Sequence, residues 1–199
     1  MKLRLITTLL IALIALPALV QAADKSETTA VTERAALLQT AGRGQAVTSN
    51  SQQYQILPGA RAVESLAQEQ PQQTLARAGG GKLIETKGAF VVFAAAQQSA
   101  ASVASTNGAT SYPTVLNTRS QGIGILPGTL NVKLKNMDSA AAIAIDHGLE
   151  VVRVFAHLQT VFYRVKPGQD VLAAAASLSA DPRVSSAEVE VIEHMKVPH

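Results

Sequence analysis

The chain has 199 residues, 47% of them hydrophobic, with 17 basic against 14 acidic side chains and neither cysteine nor tryptophan. Without cysteine, disulfides, thiol catalysis and thiolate metal sites are all excluded, so stability must come from packing. Aromatic residues are few and alanine is abundant, which argues against an aromatic-lined ligand pocket.

Lys2 and Arg4 precede an apolar run from Leu5 to Leu16, followed by Pro17 and small residues ending Val20-Gln21-Ala22-Ala23. This is the layout of a secretory signal peptide, and cleavage is expected after Ala22. The run is shorter than the roughly 20 residues that span a bilayer, so no membrane attachment is expected once residues 1–22 are removed. The mature chain is expected in the periplasm, or secreted with a partner. Lys2 and Arg4 leave with the signal, and the remaining 15 basic and 14 acidic side chains form no basic stripe, so nucleic acid is not an expected partner.

Residues 23–81 are rich in Gln, Ala, Ser and Thr and are broken by Gly42, Gly44, Pro58-Gly59, Pro71 and Gly79-Gly80-Gly81. They read as an extended arm with two short helices, Thr28–Thr40 and Ala60–Glu69, the second stopped by Pro71. Residues 82–128 form a small β-rich segment. Lys82–Ala96 suggests a hairpin turning at Lys87-Gly88, Gln97–Ser111 a loop, and Tyr112–Asn117 a further strand. Ile-Leu-Pro-Gly occurs at Ile56–Gly59 and at Ile125–Gly128 and reads as two chance Pro-Gly turns, since no longer repeat surrounds it.

Residues 129–192 are more regular. Thr129–Lys135 alternates Leu130, Val132 and Leu134 with polar residues, as a half-buried strand does. Asp138 is positioned to cap a helix over Ala140–His147, which Gly148 stops. Leu149–Phe155 and Gln159–Lys166 are β-rich runs. Asp170 is positioned to cap a second helix, Val171–Ser179, ended by Asp181-Pro182. Val184–Ile192 alternates again.

The expected fold is α+β: a ferredoxin-like split βαβ domain (β-α-β-β-α-β) with an antiparallel sheet, preceded by an extension of short helices and a hairpin. Two helices then cover one sheet face and leave the other open. Leu130, Val132, Leu134, Ala187, Val189 and Val191, on strands taken as outer, are expected beneath the helices. Val152, Val154, Val161, Tyr163 and Val165 are expected inward on a central pair. Val151, Arg153, Phe155, Phe162 and Arg164 then point outward, a mixture of aromatic and arginine side chains suited to a protein interface, or else a solvated surface. Glu188 and Glu190 also face outward.

Asn131-Val132-Lys133-Leu134, Tyr163-Arg164-Val165-Lys166-Pro167-Gly168, and above all Leu178-Ser179-Ala180-Asp181-Pro182-Arg183-Val184 followed by Ala187-Glu188 carry a resemblance to a known family. Residues from about 129 onward resemble the subtilase propeptide, or inhibitor I9-like, domain. The resemblance does not extend to residues 24–128. It implies a domain that assists the folding of a secreted subtilisin- or kexin-like serine protease, one to one, through the open sheet face. It further implies a C-terminal tail sent along the protease's active-site cleft, and places Glu188 and Glu190 where acidic residues cap helix N-termini of the protease. The chain lacks the Asp-Ser/Thr-Gly, His-Gly-Thr and Gly-Thr-Ser segments of the protease triad, and no nucleophile, base and acid set is recognisable. It is therefore read as an external chaperone and inhibitor, and not as an enzyme.

The tail comprises Glu193, His194, Met195, Lys196, Val197, Pro198 and His199 and has no expected strand partner of its own. Pro198 holds Val197 extended, which favours addition as a strand beside a substrate cleft. Either His199 or Lys196 suits the main specificity pocket. His147, His157, His194 and His199 show no metal-binding spacing and read as lone surface histidines; no cofactor is expected. Two rival readings stand beside this one: a pure periplasmic protease inhibitor without a folding role, and an exported structural or interaction protein.

Overall fold

The computed structural model describes residues 31–95, 101–106 and 108–193. The signal-peptide segment 1–22 and six of the seven tail residues, His194–His199, lie outside the described residues. Residues 1–35 and 36–199 are separate units, and every strand among the described residues lies in the second. The architecture is mixed α+β, with two antiparallel sheets and few helices.

The described chain opens in a helix, α1, that runs to residue 40. Strands β1 (Ala46–Ser49) and β2 (Gln52–Glu64) follow, then helix α2 (Pro71–Arg77) and strands β3 (Lys82–Lys87) and β4 (Phe90–Ala94). Next come β5 (Ala104–Thr106), β6 (Ala109–Asn117) and β7 (Ile123–Ile125). These seven strands make one sheet in the order β3-β4-β2-β6-β5, with β1 beside β2 and β7 beside β6.

The expected helix at Ala60–Glu69 is a correction, because residues 60–64 continue β2. Alanine and glutamate favour helix locally, but here β2 is paired by β4 over residues 60–64 and by β6 over residues 61–63, so both sides of the strand are hydrogen-bonded. Its small Ala60 and Ala62 are buried on one face and Arg61 and Val63 on the other, and packing of this kind overrides a weak propensity. The expected Pro58-Gly59 turn is likewise absent. These residues sit inside β2 where its register with β6 shifts between Ile56 and Arg61, and a bulge tolerates a proline that a regular ladder does not. Gly59 is needed there, since a Cβ would stand 2.9 Å from Ala41 Cα. Within the expected Gln97–Ser111 loop, β5 and the start of β6 form a hairpin around Gly108.

The second sheet is built from β8 (Thr129–Leu134), β9 (Glu150–Phe155), β10 (Thr160–Arg164) and β11 (Val184–Val189), in the order β11-β8-β10-β9. Helix α3 (Ala140–Asp146) connects β8 to β9, and α4 (Val171–Ala180) connects β10 to β11. Asp170 caps α4 as expected, its Oδ1 accepting from the Leu172 and Ala173 amides at 2.8 and 3.0 Å. At α3 the expected Asp138 cap is not formed: the N-cap position is Ser139, with no side-chain cap bond. Asn136 Oδ1 instead accepts from the Asp138 amide at 3.0 Å to cap the short 3-10 turn Met137–Ser139 that leads into the helix. Gly148, at φ +65°, ends α3.

The central strands are β8 and β10, whereas β9 and β10 were expected. The short link 156–159 lets β9 and β10 pair as neighbours, and the crossover through α3 leaves β10 room to lie between β8 and β9. Strand β9 is therefore an edge. Val161, Tyr163 and Val165 are buried as expected, but Val152 and Val154, expected inward, are 44% and 48% exposed.

One core unites the two sheets: Val47, Tyr54, Ile56 and Val115 from the first belong to the same cluster as Leu130, Val132, Val161 and Tyr163 from the second, with Ile143 of α3 and Leu178 of α4. Tyr163 donates its hydroxyl to the Ala140 carbonyl at 2.9 Å, tying β10 to the start of α3. Tyr163→Phe is expected to cost about 1 kcal/mol in urea unfolding; no loss would show the hydroxyl to be dispensable.

Candidate functional site

The helices cover the sheet face that carries Tyr163, so strand alternation leaves the other face uncovered. Two rows of side chains cross all four strands there. One runs Glu188–Asn131–Phe162–Arg153, and the other Ser186–Lys133–Thr160–Phe155. The Phe155 and Phe162 rings meet edge-on, centroids 5.7 Å apart, and the Arg153 guanidinium lies 5.8 Å from the Phe155 centroid. Aromatic and cation–π pairs of this geometry hold side chains in place before a partner arrives. Beside them, Lys133, Leu158, Thr160 and Glu188 line a shallow depression of about 290 Å³.

Three residues expected on this face stand apart from the rows. The β9–β10 register shifts between Phe162 and Tyr163, so Val151 stands opposite buried Tyr163, out of line with Arg153. A one-residue bulge reverses side-chain parity, which alternation in sequence cannot show. Arg164 is exposed opposite Glu150 at the end of the sheet. Glu190 lies beyond the end of β11 and is partly buried, its amide donating to the Thr129 carbonyl at 2.9 Å.

After β11 the chain leaves the small sheet for the large one. Ile192 forms an antiparallel bridge with Ile125, the two amides and carbonyls exchanging hydrogen bonds at 3.0 and 2.9 Å. Glu193, the first tail residue, is then gripped. Its carboxylate accepts from Tyr54 Oη at 3.1 Å, Asn117 Nδ2 at 2.9 Å and Ser120 Oγ at 2.7 Å. Lys87 Nζ donates to the Glu193 carbonyl at 3.0 Å and also to that of Ile123. Burial, then the bond to Glu193, pushes the Tyr54 phenol up to about 12. Gly122 and Gly124 clear the path: a Cβ on either would come within 2.6 Å of Glu193 Oε1 or Val191 Cγ1. The tail is thus not without a partner at its root, contrary to expectation. Sequence reasoning missed this socket because its residues come from three separate segments: Tyr54 from β2, Lys87 from β3, and Asn117 and Ser120 from the end of β6 and the turn after it.

Residues 110–198 match the family model of the open reading frame 2 N-terminal domain. No curated protein matches the chain. Among solved structures, the chain is similar to one from the complex of an Aeromonas sobria serine protease with the chaperone ORF2. That similarity is 24% identity over 49% of this chain and 100% of that one, with a TM-score of 0.37.

His147 is also not a lone surface residue. Its Nε2 lies 3.0 Å from Asp181 Oδ2 and its Nδ1 3.1 Å from Ser177 Oγ, so a hydroxyl, an imidazole and a carboxylate do meet. Asp181 is claimed more strongly by Arg183, whose Nε and Nη2 reach it at 2.9 and 2.6 Å, and Arg183 Nη2 also pairs with Asp146 at 2.8 Å. Ser177 sits on the exposed side of α4. The set clamps the end of α3 to the end of α4. Among the described residues no group of three or more His, Asp or Glu is placed to hold a metal, and no helix is long and apolar enough to cross a membrane.

The Arg183 guanidinium and amide, then His147, hold the Asp181 carboxyl well below the usual carboxylate range. The Arg77 guanidinium and then the Leu66 amide lower Glu69 to about 2. Both groups bind more protons unfolded than folded, so their stabilisation is fully present above about pH 5 and is lost as pH falls through the folded values. The melting temperature is expected to be flat near neutrality and to fall below about pH 4.5, with a shallower fall in Asp181→Asn. An unchanged slope in that variant would remove Asp181 from the acid response.

Proposed function

We propose that this protein is an external chaperone and inhibitor of a secreted subtilisin-like serine protease, and not itself an enzyme. The observation that carries the reading is the uncovered sheet face. Arginine and phenylalanine are pre-packed on its β9–β10 half, where Arg153, Phe155 and Phe162 end the two rows that cross all four strands. These residue types are enriched in the buried centres of protein interfaces. The family match supports it, since residues 110–198 include the whole second sheet and ORF2 is also the name of the chaperone in the Aeromonas sobria complex. We read the second sheet and its helices as a split βαβ unit of the subtilase-propeptide, inhibitor I9-like type, acting one to one in the periplasm.

In this reading the open face docks on the protease late in its folding. Binding the nearly native form stabilises it by mass action and lowers the barrier that many nonlocal contacts impose. The tail extends from Glu193 along the substrate cleft as an added strand and inhibits as a bound product does. Because Glu193 is held by four hydrogen bonds, three to its carboxylate and one to its carbonyl, the tail starts from a fixed point, which lowers the ordering cost of binding.

The test is to co-purify the tagged protein with its protease, then refold the denatured protease with and without it. Recovery of activity only when the protein is present supports the chaperone. Equal recovery leaves a pure inhibitor, and failure to recover any serine protease favours an exported structural protein. Deleting Val197–His199 is expected to weaken inhibition about tenfold or more, as loss of an anchored strand does. Unchanged inhibition would take the tail out of the mechanism.

A further inference from the structure

Arg61 lies on β2 with 3% of its surface exposed. Its Nη2 donates to the Ser102 carbonyl at 2.6 Å and to the carbonyl and hydroxyl of Ser111 at 2.8 and 3.2 Å. Its Nε and Nη1 are buried with no hydrogen-bond partner. Burial lowers its pKa to about 10, with no carboxylate among the described residues contributing, so the guanidinium remains charged at neutral pH. A buried cation without a counter-charge is costly, and native chains rarely retain one unless something neutralises it.

A cavity of about 300 Å³ adjoins it, near the lower limit for a small-molecule site, and Arg61 forms part of its wall. The glycine run after α2 keeps this space open. Gly81 has φ +137°, and a Cβ there would lie 2.6 Å from Phe93 Cδ2 and 2.7 Å from the Ala94 carbonyl. Among the described residues the polar side chains of the wall are Arg61 and Ser111, and its apolar side chains are chiefly Val63, Phe93 and Ala109.

We propose that this cavity binds a small monocarboxylate, with the carboxylate beside Arg61 and an apolar body against Val63, Phe93 and Ala109. The single cation in the wall matches one negative charge, so a doubly charged phosphate is a poorer fit. A charge lodged next to the guanidinium in a low-dielectric setting is attracted without needing every buried donor. Two sources share this chemistry, a free short-chain acid and the terminal carboxylate of a peptide ending in a small apolar residue. The site lies on the first sheet and is independent of the protease reading.

Thermal melting of the full mature chain in sodium butyrate, the dipeptide Gly-Ala, its C-terminal amide, sodium chloride and sodium phosphate at matched ionic strength tests the proposal. Butyrate, Gly-Ala or both should raise the melting temperature saturably, by about 3 °C at tenfold over Kd. The amide and the inorganic salts should not. A response to butyrate identifies a free acid, and a response to Gly-Ala alone a peptide terminus. Arg61→Met should abolish the rise. Because that variant could fold poorly, the Arg61 Nε–H resonance of the unsubstituted protein serves as a second reading and should shift with the same midpoint. An equal rise in Arg61→Met, an equal or larger effect of phosphate, no rise with any carboxylate, or an unmoved Nε–H resonance would each overturn the proposal.

Discussion

Arg153→Ala combined with Phe162→Ala is expected to weaken binding of the partner protease by at least a hundredfold while leaving the melting temperature within a few degrees of the unsubstituted protein. Truncating a central aromatic or arginine anchor in an interface typically costs about 2 kcal/mol or more, and each 1.4 kcal/mol is tenfold in affinity. The two residues are directly opposite each other on β9 and β10, and the Phe155 ring touches both, so their effects should couple. The stability cost is small because neither side chain belongs to the core beneath the helices. Affinity measured by surface plasmon resonance against the inactive protease decides it. Full affinity in a folded double variant would leave the open face merely solvated, and the docking surface would have to be sought elsewhere.

Leu130→Ala is expected to destabilise the protein by about 2–5 kcal/mol, the range for a leucine truncated in a well-packed core. Leu130 is fully buried, lies on central strand β8, and has Tyr163 and Val189 as its cross-strand neighbours. Its cluster also contains Tyr54, Ile56 and Val115 of the large sheet, so the loss should spread to both sheets. Urea unfolding followed by circular dichroism and by tyrosine fluorescence should move to lower urea as one coincident transition. Two separated transitions would show that the sheets unfold independently in spite of their common core.

Much of the second sheet was legible along the chain. The alternation of Leu130, Val132 and Leu134, the Asp170 cap and the Gly148 stop are local signals, and each acts through its own few residues. The open-face residues Arg153, Phe155 and Phe162 followed from the same alternation, since a period of two assigns faces whenever the register is regular. It failed for Val151, where a bulge lets two residues oppose one. It failed for Val152 and Val154, because strand order decides which strand is an edge and no local pattern encodes that order.

The residues before 129 were less legible. Ala60–Glu69 has the composition of a helix, and only the two flanking strands make its first half, residues 60–64, part of a sheet. Pro58-Gly59 has the composition of a turn, and only the register of β2 against β6 makes it a bulge. The Glu193 socket and the clamp of Ser177, His147, Asp181 and Arg183 join residues from distant segments, so neither left a trace in spacing.

The tail sharpens that division. Sequence by itself determined that Glu193–His199 follows the last alternating strand and that Pro198 disfavours helix before it, because backbone preferences are local. Only the tertiary structure decided where the tail begins. The bridge between Ile192 and Ile125, and the grip of Tyr54, Lys87, Asn117 and Ser120 on Glu193, exist because folding brings the large sheet beneath the end of the small one.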